Sequence, residues 1–503
     1  MKYFLIILIV VLCITLPYLV AVKSGGSGFI FSGFLVNYLD GNSYLAKMYQ
    51  GWDGSWRFVL PYTSNAGQGA YLFLYYIFLG HLARWTNFSL IWMYHLARIV
   101  NCVILLVILR IFLLKTIKLE SKLAFMAFLL VSLGSGFGWL GLAGSTSDFL
   151  VPEAYPFLSA YSNPHFTLGM ALILSVVIIS ENQDLPLKWP GIFLLSFVLS
   201  IVLPFGVIVA GVVLVSRSAL KWIVEKKIEL YPIIFLGLGG GFFVLYQFYM
   251  SITDPVLKGW NAQNITASPP LLDFIFSFSP ALIAAIWGSV VLLKSTSSPA
   301  QRTMVAWLVL GILLVYIPFN LQRRFMLGLF IPVAILAVWG IGGINNLKTR
   351  GWLWVGLFCF SLPTNLLIIL AGFYGIQSHS SAIYLTVNEE SALEWVENST
   401  PAHSLILASP EMGLFIPADT GRRVVYGHPF ETVNAEQEKD KIETFYGNKL
   451  SSEGTYLYLL DKKPDYIFWG PREQKIGRPA ILEELPVVYQ NGDIKIYSLD
   501  WAK

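Results

Sequence analysis

Long apolar runs broken by short polar segments fill residues 1–375, and shorter alternating runs separated by turns follow them. A bilayer core is crossed by about 20 helical residues. Eleven runs have that character, near 3–22, 90–113, 122–141, 166–180, 190–203, 205–220, 231–252, 274–293, 303–320, 326–346 and 352–373. Two short runs flank Pro204; "LKWP" before them and "SRSALKW" after them both read as cytoplasmic, so the chain must turn back at the proline. "GAYLFLYYIFLGHLARW" is apolar as well, but counting it as a span would put Arg110, Lys115, Lys118 and Lys122 outside. It reads instead as an interfacial or re-entrant helix.

The first run, "YFLIILIVVLCITLPYLVAV", has bilayer length and lacks a small-residue cleavage site, which predicts an uncleaved anchor. After residue 375, "ESALEWVEN" has helical spacing, whereas "SLILASP", "RRVVYG", "DYIFWG", "PVVYQN" and "DIKIYSL" read as strands. The expected fold class is a polytopic α-helical membrane protein. Residues 1–375 form its membrane domain, with a long outer loop at 23–89 and a second at 142–165, and residues 376–503 form a soluble extracytoplasmic α/β domain.

Composition agrees: 56% of the 503 residues are hydrophobic and 13% charged, with a mean hydropathy of +0.64. Of the 30 acidic residues, 19 lie after residue 375. Lys/Arg concentrate on the cytoplasmic side of membrane proteins. This places the N-terminus inside and the tail outside, in a plasma membrane. Glu120, Glu181, Asp184, Glu225 and Glu229 then fall inside, and Asp40, Asp53, Asp148, Glu153, Asp254 and Asp273 outside. A net charge of +4 without a basic run interleaved with aromatics gives no nucleic-acid signature. Cys13, Cys102 and Cys359 sit in apolar stretches and read as packing residues.

Candidate chemistry gathers on the predicted outer face. Asp40 lies in "NYLDGNSYLAKMYQGW", whose aromatics suit the headgroup level; it reads either as a partly desolvated general base or metal ligand, or as a loop acid capping a helix. In "SDFLVPEAYPF", Pro152 separates Asp148 from Glu153, so spacing does not bring the two together. His165 in "NPH" stands at a membrane boundary, where imidazole can donate to a phosphate or rest in the interface. Arg323 and Arg324 in "FNLQRRFMLGLFIP" break the inward bias of basic residues, and paired guanidinium groups suit a phosphate or headgroup anchoring. Arg57, Arg98 and Lys258 are further cations, and "GRRVVYGHPFE" sets Arg422, Arg423, His428 and Glu431 within ten residues, either for an acceptor or as ordinary strand and turn.

Taken together, "NYLDGNSYLA" in a long first outer loop, the following "GAYLFLYYIFLGHLARW", the acids of "SDFLVPEAYPF", the paired "VLPFGVIVAG" region and the late "QRRFMLGLFIPVAILAVWGI" resemble the GT-C superfamily of integral-membrane glycosyltransferases. The likeness is greater to the branch of protein mannosyltransferases and aminoarabinose transferases than to oligosaccharyltransferase, whose Trp-Trp-Asp motif is absent. The resemblance implies a sugar transferred from a polyprenyl-phosphate donor to a hydroxyl of a lipid, glycan or protein acceptor, with inversion. It assigns catalytic roles to Asp40, Asp148 and Glu153, and donor-phosphate binding to Arg323, Arg324, His165, Arg57 and Lys258. Some members use a metal, so Mg²⁺ or Mn²⁺ on Asp40, Asp148 and Glu153 is a further expectation. "DG" replaces the Asp-Glu pair of protein mannosyltransferases, which counts against protein O-mannosylation. From other classes, a transporter or flippase for a lipid-linked substrate and a polymer-binding scaffold remain as alternatives. Transporters set such groups at the midplane of related halves, and no duplicated half is evident.

Overall fold

The computed structural model describes residues 1–141, 145–182 and 185–499; Asp184 and part of the second outer loop lie outside these ranges. Among the described residues, seven helices are long and apolar enough to cross a membrane: Lys2–Ser24, Leu90–Thr116, Pro164–Glu181, Pro204–Glu225, Tyr231–Thr253, Gln322–Gly342 and Leu347–Gln377. Leu271–Phe278 and Ala281–Lys294 form a pair bent by 82°, and Ser121–Leu133, Lys188–Val202 and Pro299–Val315 are shorter apolar helices. Each of the eleven apolar runs is thus largely helical, and the chain is a multi-pass membrane protein.

Two compact units emerge. The first comprises Met1–Pro17, His95–Tyr246 and Thr266–Tyr374, and the second Tyr18–Tyr94, Gln247–Ile265 and Gly375–Lys503. The division therefore groups the loop at 23–89 and residues 247–265 with the tail, although they are not contiguous in sequence.

Within the first unit, Phe330–Gly342 is almost wholly enclosed and packs on Ala281–Lys294 and Ser121–Leu133. Its environment is protein on nearly every side. Helices Lys188–Val202 and Pro204–Glu225 pack on each other across a break at Leu203, because proline at the first helical position leaves no room for the preceding residue to stay helical.

The second unit is built on a mixed sheet. Strands β1 (Phe29–Phe31) and β2 (Tyr384–Thr386) pair antiparallel and join the first loop to the tail. Five further strands, β3 (Leu405–Leu407), β4 (Arg423–Val424), β5 (Tyr466–Trp469), β6 (Val487–Asn491) and β7 (Ile494–Ser498), are ordered β4-β3-β5-β7-β6. β3 runs parallel to β4 and β5, whereas β7 is antiparallel to both β5 and β6. The two-residue side-chain period sorts the sheet into two cores. Ile406, Phe468, Ile494 and Ile496 enter one, and Leu405, Leu407, Ile467 and Tyr497 the other. The first core also takes in Ala46 and Tyr62, with Tyr38 and Leu39 packed against it, so the first loop is part of this domain's interior.

Helix Tyr38–Trp52 lies along helix Leu74–Thr86 at very close range: a Cβ on Gly80 would come within 1.9 Å of the Met48 carbonyl oxygen. Thirteen residues rise only about 20 Å, too little to cross the membrane core. Side chains small enough to let the backbones touch make the second helix a rigid backing for the first.

Candidate functional site

In the first unit, three of the five residues cited for donor binding, Arg323, Arg324 and His165, lie around Glu153 and Phe166. The 3₁₀ turn Gln322–Met326 presents Arg323 and Arg324 to Glu153, with Arg323 Nε at 3.4 Å and Arg324 Nη1 at 3.5 Å from Glu153 Oε1. Glu153 is buried, whereas the two arginines keep 32% and 23% of their side-chain surface exposed. The turn is pinned by its own backbone: Arg323 N donates to Thr266 O, and Gly328 N to Glu153 O. His165, in the first turn of Pro164–Glu181, packs its ring 4.0 Å from Phe166, and the Arg324 guanidinium stands 6.0 Å over that phenyl ring. A carboxylate thus holds two partly exposed guanidinium groups, an arrangement suited to a phosphate.

Asp148 does something different. Its Oδ2 accepts from Gly136 N, Gly138 N and Thr364 Oγ1 at 3.2, 3.0 and 2.9 Å, and its Oδ1 from Thr146 Oγ1 at 2.7 Å. Three of these bonds crowd onto Oδ2 and one falls on Oδ1. Burial pushes its carboxyl above the ordinary range, with the hydroxyl and amide donors opposing. Asp148 is a fastening of residues 136–138 to the helix at Thr364.

The second unit assembles a further cluster. Asp40, in the first turn of Tyr38–Trp52, has its Oδ2 held by Asn37 Nδ2 at 2.9 Å and keeps 35% of its side chain exposed. Carboxylates in a first turn are favoured by the helix dipole. Its Oδ1 faces His428 Nε2 at 3.7 Å. One turn on, Ser43 and Lys47 both contact Glu431 Oε1, each at 2.5 Å. The Lys47 ammonium is fully buried, 4.4 Å over the Phe73 ring and 5.4 Å over Phe58. Burial would raise the Glu431 carboxyl, but Lys47 and His428 hold it below the usual carboxylate range. Burial lowers the imidazole of His428, opposed by Glu431 and Asp40, so the ring is neutral at neutral pH.

His428 reaches this place because Gly413 and Gly427 let two segments touch. A Cβ on Gly427 would fall 2.1 Å from the Gly413 carbonyl oxygen and 2.7 Å from the Tyr62 ring. No other residue type fits there.

The remaining candidates separate. Arg57 donates to the Gly69 carbonyl at 2.9 Å, and Lys258 is exposed on helix Pro255–Gln263. Arg98 is buried against the carbonyls of Ala160 and Tyr161. Arg422 is spent on the carbonyls of Thr420, Glu397 and Thr400. Lys47 and Ser43 escaped the sequence reading; the signal available was their helical spacing with Asp40, at i+3 and i+7.

No three His, Cys, Asp or Glu side chains are grouped to hold a metal among the described residues. Of the residues expected to hold a metal, Asp148 accepts from backbone amides and threonine hydroxyls, and Glu153 faces two cations. The donor set does not fit Mg²⁺ or Mn²⁺.

No family model and no curated protein matches the sequence. Solved structures do. The chain is similar to the oligosaccharyltransferase of Archaeoglobus fulgidus, at 12% identity over 91% of this chain and 68% of that one, with a TM-score of 0.52. It is similar to apo ArnT from Cupriavidus metallidurans at 11% identity over 97% of both chains, TM-score 0.50. Mycobacterial arabinofuranosyltransferase AftD shares 12% identity over 97% of this chain and 39% of that chain, TM-score 0.52. Across such distant sequences a common architecture is what these likenesses establish, and the chain has the fold of the GT-C integral-membrane glycosyltransferases.

Proposed function

We propose that the protein is a glycosyltransferase that moves a sugar from a polyprenyl phosphate to an acceptor hydroxyl at the outer face of the plasma membrane. The observation that carries this reading is the GT-C fold joined to a guanidinium pair seated on Glu153. The Archaeoglobus oligosaccharyltransferase of the same fold is known in complex with dolichol phosphate, a lipid-linked phosphate.

In the reaction, Asp40 removes the acceptor proton as the acceptor oxygen attacks the anomeric carbon. The bond from that carbon to the phosphate oxygen breaks on the opposite side, which inverts the centre. The polyprenyl phosphate leaves with the bonding electrons, and Arg323 and Arg324 stabilise its growing charge. Asp40 finishes protonated. General-base assistance is worth about 10² to 10⁴ in rate, and preorganised charge a similar amount.

The test is mass-spectrometric detection of product from purified protein in lipid, offered undecaprenyl-phosphate pentoses and hexoses with cell-envelope lipid and protein extracts. Wild type is expected to form product and Asp40→Asn to lose it. Movement of intact donor across a sealed bilayer, without product, would reject the reading in favour of a flippase.

A further inference from the structure

We infer that the soluble tail completes the site around the proposed base: His428 is a positioning residue for Asp40. This rests on the reading of Asp40 given above. The Nδ1 of His428 accepts the Phe430 backbone N–H at 3.1 Å, so the neutral ring carries its proton on Nε2. That Nε2 is buried and has no hydrogen-bond partner among the described residues, and Asp40 Oδ1 is 3.7 Å away. Burying an unpaired N–H is costly, and a small side-chain movement of the partly exposed Asp40 satisfies it. Catalytic hydrogen bonds are commonly long without substrate and tighten in its presence.

The consequence is a carboxylate gripped from two sides. Asn37 on its own helix holds Oδ2, and His428 from the tail faces Oδ1. This arrangement leaves one rotamer for the base. Of the other groups around the ring, Glu431 uses one carboxylate oxygen and keeps Oε2 without a hydrogen-bond partner among the described residues. Glu431 Oε1 is bound to Lys47 and Ser43, and Tyr62, whose ring lies 5.7 Å from the imidazole, donates its hydroxyl to the Leu414 carbonyl. Asp40 Oδ1 is the carboxylate oxygen that stands within 4 Å of the imidazole Nε2, at 3.7 Å.

Wild type, His428→Ala, His428→Gln and Asp40→Asn, each full length in nanodiscs, are assayed with the undecaprenyl-phosphate sugars above, and electron cryo-microscopy maps are obtained for wild type and His428→Ala. Loss of a supporting partner typically costs about 10- to 100-fold in activity. His428→Ala should therefore lower kcat by that factor with donor KM within twofold. His428→Gln, whose amide N–H reaches the Nε2 position, should recover most of it. The Asp40 carboxylate should leave its wild-type rotamer in the alanine map. Wild-type kcat in His428→Ala beside inactive Asp40→Asn overturns the inference and leaves the base role standing, whereas an active Asp40→Asn overturns the base role itself. If no sugar reacts, the maps decide: an Asp40 carboxylate unmoved in His428→Ala rejects the positioning role.

Discussion

Lys47 Nζ lies 2.5 Å from Glu431 Oε1, and the two residues, 384 positions apart in sequence, form a buried ion pair that ties the first-loop helix to the segment after β4. Removing one member of such a pair strands a charge in the interior and costs about 3–5 kcal/mol, while replacing both by apolar groups is often neutral. Glu431→Gln should lower the unfolding midpoint markedly, and Lys47→Met with Glu431→Leu should recover most of the loss. Thermal melts of the singles and the double measure the coupling. Additive losses would show that the pair is not a unit.

Asp148 carries a structural prediction. Asp148→Ala orphans the amides of Gly136 and Gly138 and the hydroxyl of Thr146, while the Thr364 hydroxyl keeps the Gly136 carbonyl at 3.1 Å. Each buried orphan costs about 1–3 kcal/mol. The variant should lose stability in melts, whereas Asp148→Asn, which keeps one oxygen, should lose less. A fully stable Asp148→Ala with abolished transfer would make Asp148 a chemical participant after all.

Arg323 and Arg324 should be felt in donor affinity. Hydrogen bonds to charged groups contribute about 1.5–3 kcal/mol, or roughly 10- to 100-fold. Arg324→Ala and Arg323→Ala should each weaken retention of undecaprenyl phosphate by that factor in native mass spectrometry, with Lys restoring only part, since a point charge cannot replace the planar fork.

Asp419, on helix Met412–Thr420, lines a cavity of about 350 Å³ with Tyr49, Trp52, Glu390 and Glu397. Burial, reinforced by Glu390 and Glu397, pushes its carboxyl well above the ordinary range, and its Oδ2 has no hydrogen-bond partner among the described residues. A raised folded-state pKa means that its favourable contribution is complete below the ordinary carboxylate range and is lost as pH rises through the folded value. Asp419→Asn should therefore stabilise the protein at neutral and alkaline pH, with the gain shrinking as pH falls toward 4. Melting temperatures over that range check the sign.

Much of the architecture was legible in the order of side chains. Apolar runs of bilayer length are a local property, because a helix in lipid must satisfy its own backbone. The strands of the tail follow from their two-residue period in the same way. Asp40 and the Arg323–Arg324 pair were also visible, as charges where composition makes charge expensive. His428 and Glu431 were seen only as members of a polar turn, and Lys47 and Ser43 not at all.

The membrane class, the helical runs, the strand-forming tail and the short list of chemically capable residues each depend on neighbours a few positions away and so are written in local order. Packing between distant segments is what fastens residues 136–138 to Thr364 through Asp148 and seats two arginines on Glu153. It alone set the Asp40 carboxylate opposite an imidazole 388 positions later, and grouped the first outer loop with the tail. The physical reason is common to all three: hydrogen bonds and ion pairs of a few ångströms are fixed by packing between distant segments, here by two glycines that allow backbones to touch, and nothing in local spacing records which segments will meet.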